Sequence, residues 1–242
     1  MKKKILLGLL AASVFSFNFY SVSLAGPFDF NNNNKQTETN KEIDLNTLSA
    51  NSTKLILNVG KATVAFADAA IIMLNATGNK EQAEKLKAVV DVVKKNPKDE
   101  EGIKKLISSK EMTGALEGLD KMDLGAKTKL NISEADLIFA SCNFGGGVIL
   151  DSKAVIDATE LVKEATSMLD KVQKDPMKYG VSAAGTVNSI ISSGKFICDN
   201  IPNQIKAVQT FTTKLVAYCN ANKISPPSAE KLKEVAETME KG

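Results

Sequence analysis

The sequence predicts an all-α protein, an antiparallel bundle of about six to seven helices, several of them long, joined by short Gly/Pro turns. Apolar residues recur at steps of three and four over long stretches, which is the period of an amphipathic helix. Short segments rich in Gly, Pro and Asn separate these stretches and are typical of helix ends. Outside the extreme N-terminus, no apolar run has the alternating period of a strand.

The first 25 residues have the composition of a secretory signal peptide. Residues 2–4 are lysines, and the apolar run 5–17 that follows is too short to span a bilayer. Ser23 and Ala25 place small residues at positions −3 and −1 of a cleavage site after Ala25. We therefore expect an exported protein, periplasmic or secreted, with no stable transmembrane span after cleavage. An uncleaved anchor is the alternative.

The composition excludes several classes of function. The 242 residues carry a net charge of +3, every cation is a lysine, and His, Arg and Trp are absent. Cleavage removes three lysines and leaves 28 cations against 28 anions. A neutral chain without Arg has no electrostatic footprint for nucleic acid. Without His, most hydrolase triads and zinc sites are excluded, and we expect no metal and no cofactor.

The mature chain divides into a leader and a helical domain. Residues 26–40 include four consecutive asparagines and almost no apolar residue after Phe30, so we expect a flexible leader. The remaining residues, 41–242, are enough for one sizeable core and predict a single helical-bundle domain. A short, highly charged C-terminal helix is expected at 228–240, opened by two prolines and a serine.

Two helices are predicted at the start of this domain. A heptad pattern, typical of a coiled coil, begins at Leu45 and predicts a helix of about 30 residues, roughly 45 Å long. It ends at 77–79, where Thr-Gly-Asn is a helix-stop signal. A second helix is predicted over 80–95, because Asn96-Pro97 terminates it.

The middle of the chain predicts two further helices, each with an interruption. The pattern over 99–122 contains three glycines, so we expect a break near 108–113. Ser133 is a suitable N-cap for a long helix that ends at Asp175-Pro176. Its two apolar stripes are out of phase by one residue, which predicts a bend or short break just after Gly145-Gly146-Gly147. A fifth helix is expected over 181–199, and Pro202 is expected to begin a sixth.

Three cysteines are candidates for a disulfide. Exported proteins meet an oxidising environment, so pairing is the default expectation for Cys142, Cys198 and Cys219. We expect Cys142–Cys219 first and Cys142–Cys198 second. If helices five and six form a hairpin, Cys198 and Cys219 are about 25 Å apart and cannot pair. Three buried thiols are the alternative, and without His a catalytic thiol lacks its usual base.

The three consecutive glycines have two interpretations. Close backbone packing or a kink is favoured, because the segment resembles no phosphate-binding loop. The alternative is a hinge or gap that admits an apolar ligand, and its lining would be the residues around the glycines. These candidate ligand or hinge residues are Phe139, Phe144, Gly145, Gly146, Gly147 and Ile149.

Two acidic residues are candidates for a buried ligand site, and two apolar stretches are candidates for membrane spans. Asp68 and Asp91 interrupt apolar helical stretches, and we expect each to pair with a lysine at the edge of the stripe; a buried ligand site is the alternative. The stretches 63–74 and 135–150 do not reach about 18 residues without a charge, so bundle cores explain them better than membrane spans.

These observations predict an exported, non-enzymatic helical-bundle protein with a binding or structural role in the bacterial envelope or extracellular space. Its partner would be another protein, or a second copy of the chain, contacted through helix faces. The first alternative is a carrier of an apolar small molecule or lipid within the bundle. The further alternative is a helical toxin that inserts into membranes.

Overall fold

The computed structural model describes residues 44–125 and 128–241, which are helices and short connections without any strand. The predicted signal peptide and leader lie outside these residues. All described residues belong to one compact unit, Glu42–Gly242. The all-α prediction is confirmed. The helices are α1 (Leu45–Ala76), α2 (Lys80–Lys95), α3 (Glu100–Ile107), α4 (Lys110–Asp120), α5 (Glu134–Lys174), α6 (Pro176–Tyr179), α7 (Ala183–Ala221) and α8 (Ala229–Lys241).

Helix α1 is the central helix of the bundle. Asp44 caps its first turn by accepting a 2.8 Å hydrogen bond from the backbone N–H of Thr47. The helix contacts α2, α3, α4, α5, α7 and α8. Its Gly60 lets α3 approach closely, because a Cβ there would lie 2.7 Å from Cδ1 of Ile103. The predicted bounds of α1 and α2 are confirmed.

The predicted interruption between residues 108 and 113 separates α3 from α4. Ser109 ends the break as the N-cap of α4, accepting a 3.0 Å hydrogen bond from the N–H of Met112. Both short helices bury apolar side chains against α1, including Ile103 from α3 and Leu119 from α4. The connection after α4 then leads to Ser133, which caps α5 as predicted.

Helix α5 is continuous through the three glycines, so the predicted short break does not form. The 41 residues of this helix extend over about 60 Å. Continuity follows from packing, because all three glycines are buried and neighbouring helices occupy the space where side chains would lie. A Cβ would meet Leu232 at 2.7 Å from Gly145, Val235 at 2.7 Å from Gly146, and Phe66 at 2.5 Å from Gly147.

We name residues 145–147 the glycine surface of α5. On one side it receives α8, whose Leu232 and Val235 cover Gly145 and Gly146. On another side it receives Phe66 of α1 over Gly147. The favoured interpretation, close backbone packing, is therefore what the structure shows.

Helix α8 is anchored to the bundle at its far end through one carboxylate. Glu240 accepts hydrogen bonds of 2.8 and 2.9 Å from Lys153 and lies 3.4 Å from the ammonium of Lys54. Its backbone carbonyl accepts a 3.2 Å hydrogen bond from Lys61. The hydrogen bond from Lys153 lowers the pKa of Glu240. Two helices, α1 and α5, therefore hold the same end of α8.

Helix α7 is also continuous, and the predicted division at Pro202 is wrong. Proline removes one backbone hydrogen bond and normally breaks or kinks a helix at a cost of about 3 kcal/mol. Here Ile197, Ile201 and Ile205 continue one buried stripe across the proline, while Pro202 itself is only half-buried. Burial of that stripe against α1 and α5 offsets the lost hydrogen bond.

The glycine surface gives a prediction with a matched control. Ala normally stabilises a helix by about 1 kcal/mol over Gly. We expect Gly147→Ala to do the opposite and destabilise the fold by about 1–3 kcal/mol, because its Cβ would overlap Phe66. Gly185→Ala in α7 has no neighbour within 4 Å and should stabilise it. Urea unfolding followed by circular dichroism measures both, and a stabilising Gly147→Ala would contradict the close contact.

The continuity of α7 predicts the effect of removing its proline. Pro202→Ala restores an N–H and a backbone hydrogen bond within a continuous helix, and we expect the free energy of unfolding to rise by up to about 3 kcal/mol. If residue 202 instead began a separate helix, alanine would replace a favourable first-turn proline and lower stability. The sign of the change in urea unfolding therefore distinguishes one helix from two.

Candidate functional site

The three cysteines do not pair. Cys142, Cys198 and Cys219 are all free thiols in the structure. Cys198 lies on α7 with its Sγ 3.7 Å from Oγ1 of Thr159 on α5. Thr159 and Cys142 are 17 residues apart on the same continuous helix, about 25 Å along its axis. The second expected pairing is therefore out of reach, and the first is not formed.

Burial makes the two inner thiols weak nucleophiles. Desolvation raises the pKa of Cys142, and a nearby lysine, Lys231, opposes it only in part. Desolvation also raises the pKa of Cys219. Because the thiolate is the reactive form, both thiols are less reactive than an exposed cysteine.

The residues expected to line an apolar ligand site do not surround one gap. Phe144 is buried with its ring edge-on to Phe211 of α7, at a centroid distance of 5.3 Å. Phe139 is mostly exposed, and Ile149 is half-buried. The glycines between them are covered by α8 and by Phe66. A ligand could reach this surface of α5 only by displacing α8.

The two acidic residues singled out in the sequence pair with lysines. Asp68 accepts a 2.7 Å hydrogen bond from Lys94 of α2. Asp91 accepts a 2.9 Å hydrogen bond from Lys87, one turn before it. That hydrogen bond lowers the pKa of Asp91. The expectation of surface ion pairs is confirmed for both residues.

A third acidic residue, Asp151, is the unusual one, and the sequence analysis missed it. Its side chain is 0% exposed in the middle of α5. The seven-residue spacing in the sequence could have indicated that Asp151 is buried, because residues at every seventh position of α5 form one continuous buried stripe. Asp151 is the third member of that stripe, and the other five members are apolar. The stripe is Leu137, Phe144, Asp151, Ala158, Ala165 and Val172.

Asp151 belongs to a buried polar contact in which Gln204 connects side chains of three helices. Nε2 of Gln204 on α7 donates to Oδ2 of Asp151 at 3.4 Å and to Oγ1 of Thr63 on α1 at 3.1 Å. Among the described residues, Oδ1 of Asp151 has no hydrogen-bond partner. Desolvation raises the pKa of Asp151 well above its usual value. Burying a charged carboxylate is unfavourable, so the bundle favours the protonated acid.

Gln204 connects this buried contact to the surface. It lies in the floor of a groove of about 620 Å³ between α4 and α7, which we name the α4–α7 groove. The groove combines apolar side chains with a polar and charged rim. Its lining includes Ile107, Met112, Leu116, Glu117, Asp120, Gln204, Lys206, Ala207 and Thr210.

Two contacts hold α7 to the short helices beside the groove. At one end, the ammonium of Lys214 donates to the backbone carbonyl of Asp120 on α4 and lies 3.4 Å from its Oδ1. Toward the other end, Lys104 of α3 donates to Oγ of Ser193 on α7 at 3.3 Å. The part of α7 that lines the groove, 200–210, extends about 15 Å.

The residues around the α4–α7 groove are suited to binding another molecule. The described residues contain no group of three acidic or cysteine side chains placed to hold a metal ion. Asp151 is sealed from solvent, so its carboxyl cannot touch a substrate in the groove. The floor amide of Gln204 and the rim residues Glu117 and Lys206 offer hydrogen bonds and charges to a bound molecule.

The buried acid predicts a pH-dependent stability. Because the folded state raises the pKa of Asp151, folding takes up a proton at pH values between about 3.9, the unfolded value, and the folded pKa. Asp151 therefore stabilises the fold least at high pH. We expect Asp151→Asn, which keeps an acceptor for Gln204, to stabilise the protein at pH 7, with a gain that grows with pH by up to about 1.4 kcal/mol per unit.

Urea unfolding at pH 5, 6, 7 and 8 measures this gain. Asp68→Asn is the control, because it removes a carboxylate that pairs with Lys94 near the surface and should change stability by less than about 1 kcal/mol. A difference between Asp151→Asn and the wild type that is constant across pH would contradict the account of Asp151.

Comparison with known proteins does not assign a family or a function to the chain. The chain matches no family model, and neither the curated proteins nor the solved structures contain a significant match to it. We therefore infer the function from the α4–α7 groove and the residues around it.

Proposed function

We propose that the protein is an exported, non-enzymatic helical bundle that binds a partner protein, and that the α4–α7 groove is its binding face. The observation that carries this proposal is the groove itself, which combines apolar side chains and the Gln204 amide with a charged rim over about 15 Å of α7. The signal-like composition of the first 25 residues supports the export part of the proposal.

The shape of the groove favours a helical segment of the partner. An amphipathic helix buries its apolar side in a groove of this kind and places polar residues at the rim. A 15 Å groove accommodates about three turns, or ten residues. Leu116 and Ala207, both partly exposed, supply apolar contacts, while Asp120 and Lys206 offer charges of both signs.

The buried polar contact below the groove supports a rigid binding face. Gln204 is held by Thr63 and Asp151 from two other helices, so its amide cannot turn freely. A side chain fixed in this way loses little further entropy when it binds a ligand. The raised pKa values of Cys142 and Cys219 support a role without a nucleophilic thiol.

A small apolar molecule is the second candidate ligand, because about 620 Å³ lies within the usual range of ligand pockets. This ligand would bind in the α4–α7 groove, since the glycine surface of α5 is covered.

The toxin alternative has one supporting observation. Helix α1 is the one described helix long and apolar enough to cross a membrane, with a mean hydropathy of 1.6 in its best window. Of that window, 67% is buried, which the core helix of a bundle also explains.

Site-specific photo-crosslinking in an exporting host tests the proposal. A photoreactive residue is placed at Thr210, which is exposed in the lining of the groove, and separately at Val92, which is exposed on α2. We expect a discrete protein adduct from position 210 and none from position 92. Ala207→Trp fills the groove and should abolish the adduct while leaving the circular dichroism spectrum unchanged.

The alternative functions predict different results for the same purified protein. Absence of any protein adduct at position 210 contradicts the proposal, and a copurified small molecule in native mass spectrometry then favours the carrier. An adduct that survives Ala207→Trp places the partner elsewhere on the bundle. Leakage of liposomes with loss of soluble compactness favours the toxin.

A further inference from the structure

The connection between α5 and α7 exposes apolar side chains at one end of the bundle. Met177 is 93% exposed and Val181 is 99% exposed. The other large apolar residues on the described surface are much less exposed, for example Val92 at 58% and Ile156 at 53%. We name residues 175–182 the hairpin tip. Two nearly fully exposed apolar side chains within five residues need a physical explanation.

The tip is held in shape by its own hydrogen bonds. Asp175 caps the single turn of α6 by accepting a 3.2 Å hydrogen bond from the N–H of Lys178. Gly180 has a positive φ of 88°, which favours glycine, and its N–H donates to the carbonyl of Pro176 at 3.0 Å. The two apolar side chains are therefore presented on a defined turn.

The surroundings of the tip resemble the composition of a membrane-interface segment. Tyr179 is half-buried and packs against the core, and the ammonium of Lys178 lies 5.3 Å from its ring centroid. Lys171 and Lys174 are exposed on the last turn of α5. The tip region 170–182 holds three lysines and two aspartates, a net charge of +1, in a chain that is neutral after cleavage of the predicted signal peptide. Tyr, Lys and apolar side chains together favour the headgroup boundary.

The small size of the hairpin tip favours a bilayer over a protein as its binding partner. A specific protein interface buries about 800 Å² on each partner, which a turn of eight residues cannot supply alone. A bilayer needs no complementary shape, and two inserted apolar side chains contribute about 1.5–3 kcal/mol each, so the binding is weak and needs a second, electrostatic contribution. Positive charge beside them complements anionic headgroups.

We propose that the hairpin tip inserts Met177 and Val181 into the headgroup boundary of an anionic bilayer and holds the bundle end-on at a membrane surface. The binding is peripheral, and no helix leaves the bundle. The tip is separate from the α4–α7 groove, because Ala183, the first residue of α7, and Asn200, which lines the groove, are 17 residues apart on α7, about 25 Å. A bundle held by its tip leaves that groove free for a partner.

Vesicle cosedimentation of the whole mature chain tests this proposal. The probe is vesicles of phosphatidylcholine with about one third phosphatidylglycerol, compared with vesicles of phosphatidylcholine alone. We expect Met177→Ser combined with Val181→Ser to weaken binding about tenfold or more. The control is Val92→Ser combined with Ile156→Ser, which removes two apolar side chains elsewhere on the surface and should leave binding unchanged. Lys174→Gln with Lys178→Gln should weaken binding to the anionic vesicles only.

Three results would overturn the proposal. The first is a wild-type chain that does not sediment with anionic vesicles. The second is equal loss of binding in the tip variant and in the control variant, which would indicate general apolar adsorption. The third is binding that is unchanged in the tip variant. Circular dichroism of each variant confirms that the bundle is folded, and the photo-crosslinking result at Thr210 is unaffected by any of these outcomes.

Discussion

The close approach of helices at the glycine surface of α5 is the constraint on which the rest of the bundle depends. With no side chains at Gly145, Gly146 and Gly147, α1 and α8 both reach the backbone of one helix. Phe66 can then fill the centre of the bundle, and α1 contacts every other helix of eight residues or more in the described part of the chain. The same closeness brings Thr63 and Asp151 into the range of Gln204.

The helix bounds could be predicted wherever a local signal ends a helix. Thr77-Gly78-Asn79, Asn96-Pro97 and Ser133 act within a few residues, and the structure places helix ends at each of them. Glycines 145–147 and Pro202 are also local signals for a break, but both helices continue through them. Tertiary burial of the stripes on either side outweighs the propensity, and a single sequence does not show which neighbour will cover a glycine.

The candidate site could be predicted only in part, for two different reasons. Asp151 follows a seven-residue stripe that can be recognised in the sequence, but a phase slip inferred at the glycines concealed it. The α4–α7 groove joins segments about 90 residues apart, and periodicity within one helix does not indicate which helices become neighbours. The disulfide expectation depended on the oxidising compartment and on which predicted helices would be neighbours, while the structure leaves all three cysteines as free thiols.

Hydrogen exchange measured along the whole chain tests the central claim, that α1, α5 and α7 form one continuous and mutually buried core. The account predicts the slowest exchange in α1 around Phe66, in α5 through residues 145–147 and in α7 across Pro202, with faster exchange in α8 and at the hairpin tip. Fast exchange confined to residues 145–147 or to the residues around Pro202 would mean that these helices are broken there. Exchange in α1 as fast as in α8 would contradict its place at the centre of the bundle.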